Sequence, residues 1–155
     1  FAVDPQGKLI PQDLLDQMNG ARYFNMGMTD MRLMGLSNAS LRYYLGPATA
    51  DLGAAFRAYH RQFDLIPFPE GTHFEASFSH LGGYGPAVYT YNWSRVIADD
   101  LVTLFQKNGL RDRTTADRYR RLVLQPGGTK PAAQLIADFL GRPVRMDAYR
   151  ARLGQ

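Results

Sequence analysis

Apolar residues recur at intervals of three and four along most of the chain, and that period predicts helices. The stretch from Pro11 to Ala21 opens with proline at a favoured first-turn position. It places Asp13 and Asp16 near the positive end of the helix dipole and aligns Leu14, Leu15 and Met18. A second helix is predicted from about Met26 to Leu45, carrying Met28, Met31, Leu33, Met34, Leu36, Leu41, Tyr44 and Leu45, with Gly27 and Gly35 as weak spots. Its methionines read as core filler, and Gly46-Pro47 ends it. Leu52, Phe56, Tyr59 and Phe63 predict a third helix over about 48–65, stopped by Pro67 and Pro69. The clearest helix spans about 88–108, where Trp93, Val96, Ile97, Leu101, Leu104 and Phe105 form one apolar stripe. Shorter helices are predicted at about 115–124, 131–140 and 146–153, the first two parted by Pro126-Gly127-Gly128. Only residues 66–87 lack a regular period, with proline and glycine at both ends; long loops of this kind tend to be functional or mobile. The pattern is that of an all-α helical bundle with one long glycine-rich functional loop.

Composition fits one globular domain: 155 residues, 45% hydrophobic and 21% charged. The absence of cysteine excludes disulfides and thiolate zinc sites, so a metal held by this chain would need His60, His73, His80 and carboxylates. No apolar run reaches the roughly 20 residues of a membrane span. The N-terminus also lacks a signal-peptide layout, so no membrane partner and a cytoplasmic residence are expected. Phe1 in place of Met suggests numbering that starts inside a longer polypeptide.

Charge alters the picture of the last third. Residues 1–109 carry 8 Lys+Arg against 10 Asp+Glu, a net −2, while residues 110–155 carry 10 against 4, a net +6. Arg111, Arg113, Arg118, Arg120 and Arg121 crowd together, and such a patch is able to track phosphates. Only Tyr119 interleaves with them, which gives no stacking platform for single strands. A solvated helix face whose arginines pair with carboxylates elsewhere in a larger protein is the preferred reading, and nucleic acid is not an expected partner.

Candidate chemistry gathers at the end of the irregular segment. His80, Tyr84, Tyr89 and Tyr91 fall within twelve positions, with Gly82, Gly83 and Gly85 between them to let the backbone bend. Imidazole N–H and phenol O–H groups suit the stabilisation of an oxyanion. The competing reading has these tyrosines packing on neighbouring helices with their hydroxyls in water. Gly82-Gly83-Tyr84-Gly85 is not a phosphate loop, lacking the following Lys-Ser/Thr. His73, Glu75 and His80 have a loose metal-ligand spacing without a His-Glu-x-x-His helix, and no metal is expected on them. His60 and Asp64, at i and i+4, read as an ordinary side-chain pair or a half-exposed histidine.

Three separated blocks carry a resemblance: Phe74-Glu75-Ala76-Ser77-Phe78-Ser79-His80-Leu81-Gly82-Gly83-Tyr84-Gly85 continuing through Tyr89-Thr90-Tyr91-Asn92-Trp93-Ser94-Arg95, then Tyr119 to Gly128, then Phe139-Leu140-Gly141-Arg142. In this order they resemble the C-terminal part of the thimet oligopeptidase family of zinc metallopeptidases. The match is specific over about 72–142. It implies a segment of a larger two-lobed helical peptidase, with residues 1–155 as the C-terminal part of its catalytic domain and 66–87 as a substrate-binding loop.

The resemblance further implies that His80, Tyr84 and Tyr91 bind peptide and stabilise the tetrahedral intermediate, with Gly82, Gly83 and Tyr89 in substrate binding. It implies Zn2+ in the complete enzyme, held by a His-Glu-x-x-His helix and a downstream glutamate in a missing N-terminal part of the same polypeptide, and by no ligand in this chain. Short peptides are the implied substrates, and the isolated segment would be inert. One departure is Val88, where many members have the first of two adjacent tyrosines. The reading from another class is a metal-free helical binding or interaction module that docks through its basic C-terminal third.

Overall fold

Two of the helices begin where an aspartate side chain takes up an orphan backbone donor. In the computed structural model, which describes residues 3–154, Asp51 accepts the N–H of Ala54 at 2.8 Å and opens α3 (Leu52–Arg61). Asp112 does the same for Thr115 at 2.7 Å, opening α7 (Arg113–Tyr119). The first two helices, α1 (Gln12–Ala21) and α2 (Met26–Leu45), lie where the apolar period puts them. The third is shorter than predicted, because the caps at Asp51 and Gln62 trim both ends.

Segment 66–87, expected as a loop, contains two short helices, α4 (Phe74–Ser77) and α5 (His80–Tyr84), and runs into a 3-10 turn at Gly85–Tyr89. Then follow α6 (Thr90–Asn108), α7 with a π-helical continuation at Arg120–Leu124, α8 (Ala132–Leu140) and α9 (Asp147–Arg152). The chain is all-α; among the described residues the sole β feature is an isolated antiparallel bridge between Val3 and Leu9. No helix among them is long and apolar enough to cross a membrane. Phe1, read as an internal start, lies outside the described residues.

One apolar cluster joins α6, α7 and α8. Leu101, Ile136 and Phe139 are buried there, and Tyr119 meets the Phe139 ring edge-on at 5.5 Å. Arg118 donates to the carbonyl of Phe139 at 2.8 Å, neutralising a carbonyl of the last turn of α8. A second packed region lies between α2, α3 and the 3-10 turn.

Two of the α2 methionines do not fill that region: Met28 and Met31 are 39% and 40% exposed, while Met26 and Met34 are half-buried. Its buried face is instead Asp30, Gly35, Ser37, Ala39 and Ser40. Small side chains there let the 3-10 turn approach closely and bury Val88. The closeness has a cost for substitution. A Cβ on Gly35 would stand 2.9 Å from Cδ2 of His60, so Gly35→Ala is expected to destabilise the protein by about 1–3 kcal/mol. Gly27→Ala, which meets nothing within 4 Å, is expected to stabilise by about 0.5–1 kcal/mol. Urea denaturation of the two variants checks both signs.

Buried charge fixes the last third to the rest. Asp100 on α6 receives two bonds from the Arg142 guanidinium, at 2.6 and 2.8 Å, and one from the backbone N–H of Arg145 at 2.7 Å. Asp30 on α2 pairs with Arg95 of α6 and, at 3.4 Å, with Arg152 of α9, which also binds Asp99 at 2.7 Å. Arg118, Arg142 and Arg152 of the basic third are thus bonded within the fold, while Arg120 and Arg121 pair with the exposed Asp117.

Candidate functional site

The end of α5 and the start of α6 bring three of the predicted site residues together. The His80 ring lies between those of Phe78 and Tyr84, at centroid distances of 5.3 Å on either side and interplanar angles of 24° and 17°. Its Nε2 is 3.2 Å from the hydroxyl of Tyr91, and that hydroxyl donates to the hydroxyl of Tyr84 at 3.1 Å. The bond to Tyr84 stabilises the protonated Tyr91 phenol, pushing its pKa up.

The direction of this chain matters chemically. With its proton directed to Tyr84, Tyr91 has lone pairs left that accept from His80 in the tautomer carrying its proton on Nε2. The O–H of Tyr84, on a side chain 47% exposed, is then the free donor at the end of a polarised series.

Gly82 and Gly83 lie inside α5, and a Cβ on either would meet nothing within 4 Å, so they leave the flank of this cluster open rather than forming a bend. The bend belongs to Gly85, whose φ of 56° and ψ of −126° suit glycine alone. Tyr89 is exposed, but makes no ring contact or side-chain hydrogen bond with His80, Tyr84 or Tyr91. Val88, where a phenol was missed, points into the interior and is 1% exposed.

A continuous stack of rings supports the site from beneath. Phe56 of α3 touches Phe74 at 5.3 Å, Phe74 touches Phe78 at 5.6 Å, and Phe78 touches His80. The same stack includes His60, 5.7 Å from Phe56. Contrary to the half-exposed reading, His60 is 1% exposed, with Nε2 3.4 Å from Asp64 and Arg32 3.6 Å from the same carboxylate oxygen. Burial lowers its pKa, against the pull of Asp64, and favours the neutral ring. The stability gained from neutral His60 is complete above its unfolded pKa of about 6.5 and is lost as pH falls toward the lowered folded value. Imidazole NMR should show His60 titrating below 6.5, with thermal stability declining over the same acid range.

No three metal-ligating side chains gather among the described residues. His73 is 3.0 Å from Glu75, but His80 is turned into the tyrosine cluster, so the His73, Glu75, His80 spacing yields no site. The residues present do not fit a zinc ion.

His80, Tyr84 and Tyr91 thus form one hydrogen-bonded cluster whose two tyrosines are exposed. Over residues 2–155 the sequence matches peptidase family M3, and the chain belongs to that family. It is 28% identical over 153 residues to oligopeptidase A of Salmonella typhimurium and 31% identical over 156 residues to the thimet-like oligopeptidase of Dictyostelium discoideum. These alignments cover 96% and 95% of this chain but 22% of each relative. Mitochondrial intermediate peptidase of Pleurotus djamor is 37% identical over 91 residues, 58% of this chain and 12% of the relative. The chain thus spans about a fifth of the length of the oligopeptidases it matches.

Proposed function

We propose that this chain is the substrate-binding and oxyanion-stabilising part of a zinc-dependent oligopeptidase that hydrolyses short peptides. The zinc ligands belong to residues beyond these 155, in the N-terminal part of the same polypeptide. The observation that carries the reading is the relay from His80 through Tyr91 to Tyr84, which ends in an outward phenol O–H.

As a scissile carbonyl becomes tetrahedral, its oxygen gains charge, and a donor placed beforehand stabilises that state more than the ground state. Tyr84 donates to this oxygen. Tyr91 donates to Tyr84 and is itself polarised by His80. The open flank at Gly82 and Gly83 lets a peptide backbone approach without meeting side chains.

The test is hydrolysis of a short internally quenched peptide by the full-length protein and its Tyr84→Phe variant, with zinc content measured in both. Lowered turnover at equal zinc supports the assignment. Equal turnover overturns it.

A further inference from the structure

We propose that Ser40 and Tyr44 of α2 are positioning residues that hold Tyr84 in register with Tyr91, an inference that rests on the role given to Tyr84 above. The backbone of residues 82–84 has little packing of its own: Gly82 and Gly83 have no neighbours near a would-be Cβ, and Tyr84, held by its ring stack on His80, is 47% exposed. Yet the carbonyls flanking this stretch are both tied to α2. The Tyr44 hydroxyl donates to the carbonyl of Leu81, and Ser40 Oγ donates to that of Gly85 at 2.5 Å.

Ser40 and Tyr44 stand one turn apart on a single face of the helix. Ser40 is fully buried, and the Tyr44 ring lies 3.8 Å from where a Cβ on Gly85 would be. The two bonds therefore fix both ends of the segment that carries Tyr84, including the left-handed backbone at Gly85.

The same helix holds the other side of the relay. Ser37 accepts a bond from Asn92, next to Tyr91, at 3.4 Å, and Asp30 pairs with Arg95 one turn further along α6. Helix α2 is thus the common frame against which the 3.1 Å separation of the two phenols is set. Sub-ångström placement of a donor affects the transition state more than the binding of the ground state, so the effect falls on kcat.

In the full-length enzyme, Tyr44→Phe and Ser40→Ala are each expected to lower kcat by about three- to tenfold, with KM changed less than about twofold. A merely structural role would not produce this split. The deciding measurement is a double-mutant cycle: on a Tyr84→Phe background, Tyr44→Phe should cost no more than about a factor of two, since its target donor is gone. Full multiplication of the two effects overturns the proposal, as does wild-type kcat for Tyr44→Phe while Tyr84→Phe is impaired. If Tyr84→Phe itself turns over normally, the assigned role of Tyr84 fails first and this inference falls with it. Ser40→Ala disturbs a fully buried position, but Tyr44 is 50% exposed and loses only a hydroxyl, so its result decides even if the serine variant misfolds.

Discussion

Tyr84→Phe in the full-length protein is expected to lower kcat by about 10²- to 10³-fold, the usual consequence of removing one oxyanion donor. The phenylalanine ring keeps the stack on His80, which sits 5.3 Å away and nearly parallel, so packing is preserved and only the O–H is lost. KM should move little, because the missing bond forms mainly as charge develops. Tyr91→Phe should have a smaller effect of the same kind, since Tyr91 reaches the substrate through Tyr84. Steady-state hydrolysis of a quenched peptide, with bound zinc quantified in parallel, checks the order. A Tyr91 variant more impaired than the Tyr84 variant would reverse the direction of the relay.

The largest expected effect on stability is at Asp100. Its carboxylate is 2% exposed and accepts both donors of a bidentate arginine as well as a backbone N–H. Asp100→Ala leaves the Arg142 guanidinium and the Arg145 amide without that acceptor, and breaking one side of a buried pair costs about 3–5 kcal/mol. The Arg142 side chain is 30% exposed and water partly screens it, which places the expectation near 3 kcal/mol. Asp117→Ala, which breaks ion pairs in which both side chains are more than half exposed, should stay within about 0.5 kcal/mol of wild type.

The difference between wild type and Asp100→Ala also depends on pH. The bonds from Arg142 hold the Asp100 pKa below its ordinary value. A depressed carboxylate contributes stability that is fully present above its unfolded pKa, about 3.9, and is lost as pH falls through the folded one. Thermal melts should therefore show a wide gap between the two proteins at neutral pH that narrows in strong acid.

What the sequence revealed, and what it hid, follow from the physics of each segment. Helices with a periodic apolar stripe, such as α6 and α8, were legible because one face buries every third or fourth residue. Segment 66–87 was not, because Phe68, Phe74 and Phe78 meet ring to ring along a stack instead of lining one side of a helix. The methionines of α2 misled for a related reason: its buried face is small and polar, chosen for close approach and hydrogen bonding. Ser40 gave no signal in the period and Tyr44 read only as part of the apolar stripe; an Asp-Ser-Ser-Tyr stripe at positions 30, 37, 40 and 44 shows its contacts only beside Arg95, Asn92, Gly85 and Leu81. His80, Tyr84 and Tyr91 were legible as donors close together in sequence, and their side chains do meet. Which of the glycines bends, and which merely clears space, required the backbone.

The pairing of Asp30 with Arg152 also bears on how the chain assembles. The two residues are separated by 122 positions, and Asp99 meets the same arginine across 53. Helices α2 and α6 can dock through Asp30 and Arg95 alone, but the carboxylate of Asp99 meets its arginine only once α9 is in place. Joining residues so far apart in sequence carries the loop-closure entropy of long-range contacts, and α9 acts as the latch that ties α2 to α6.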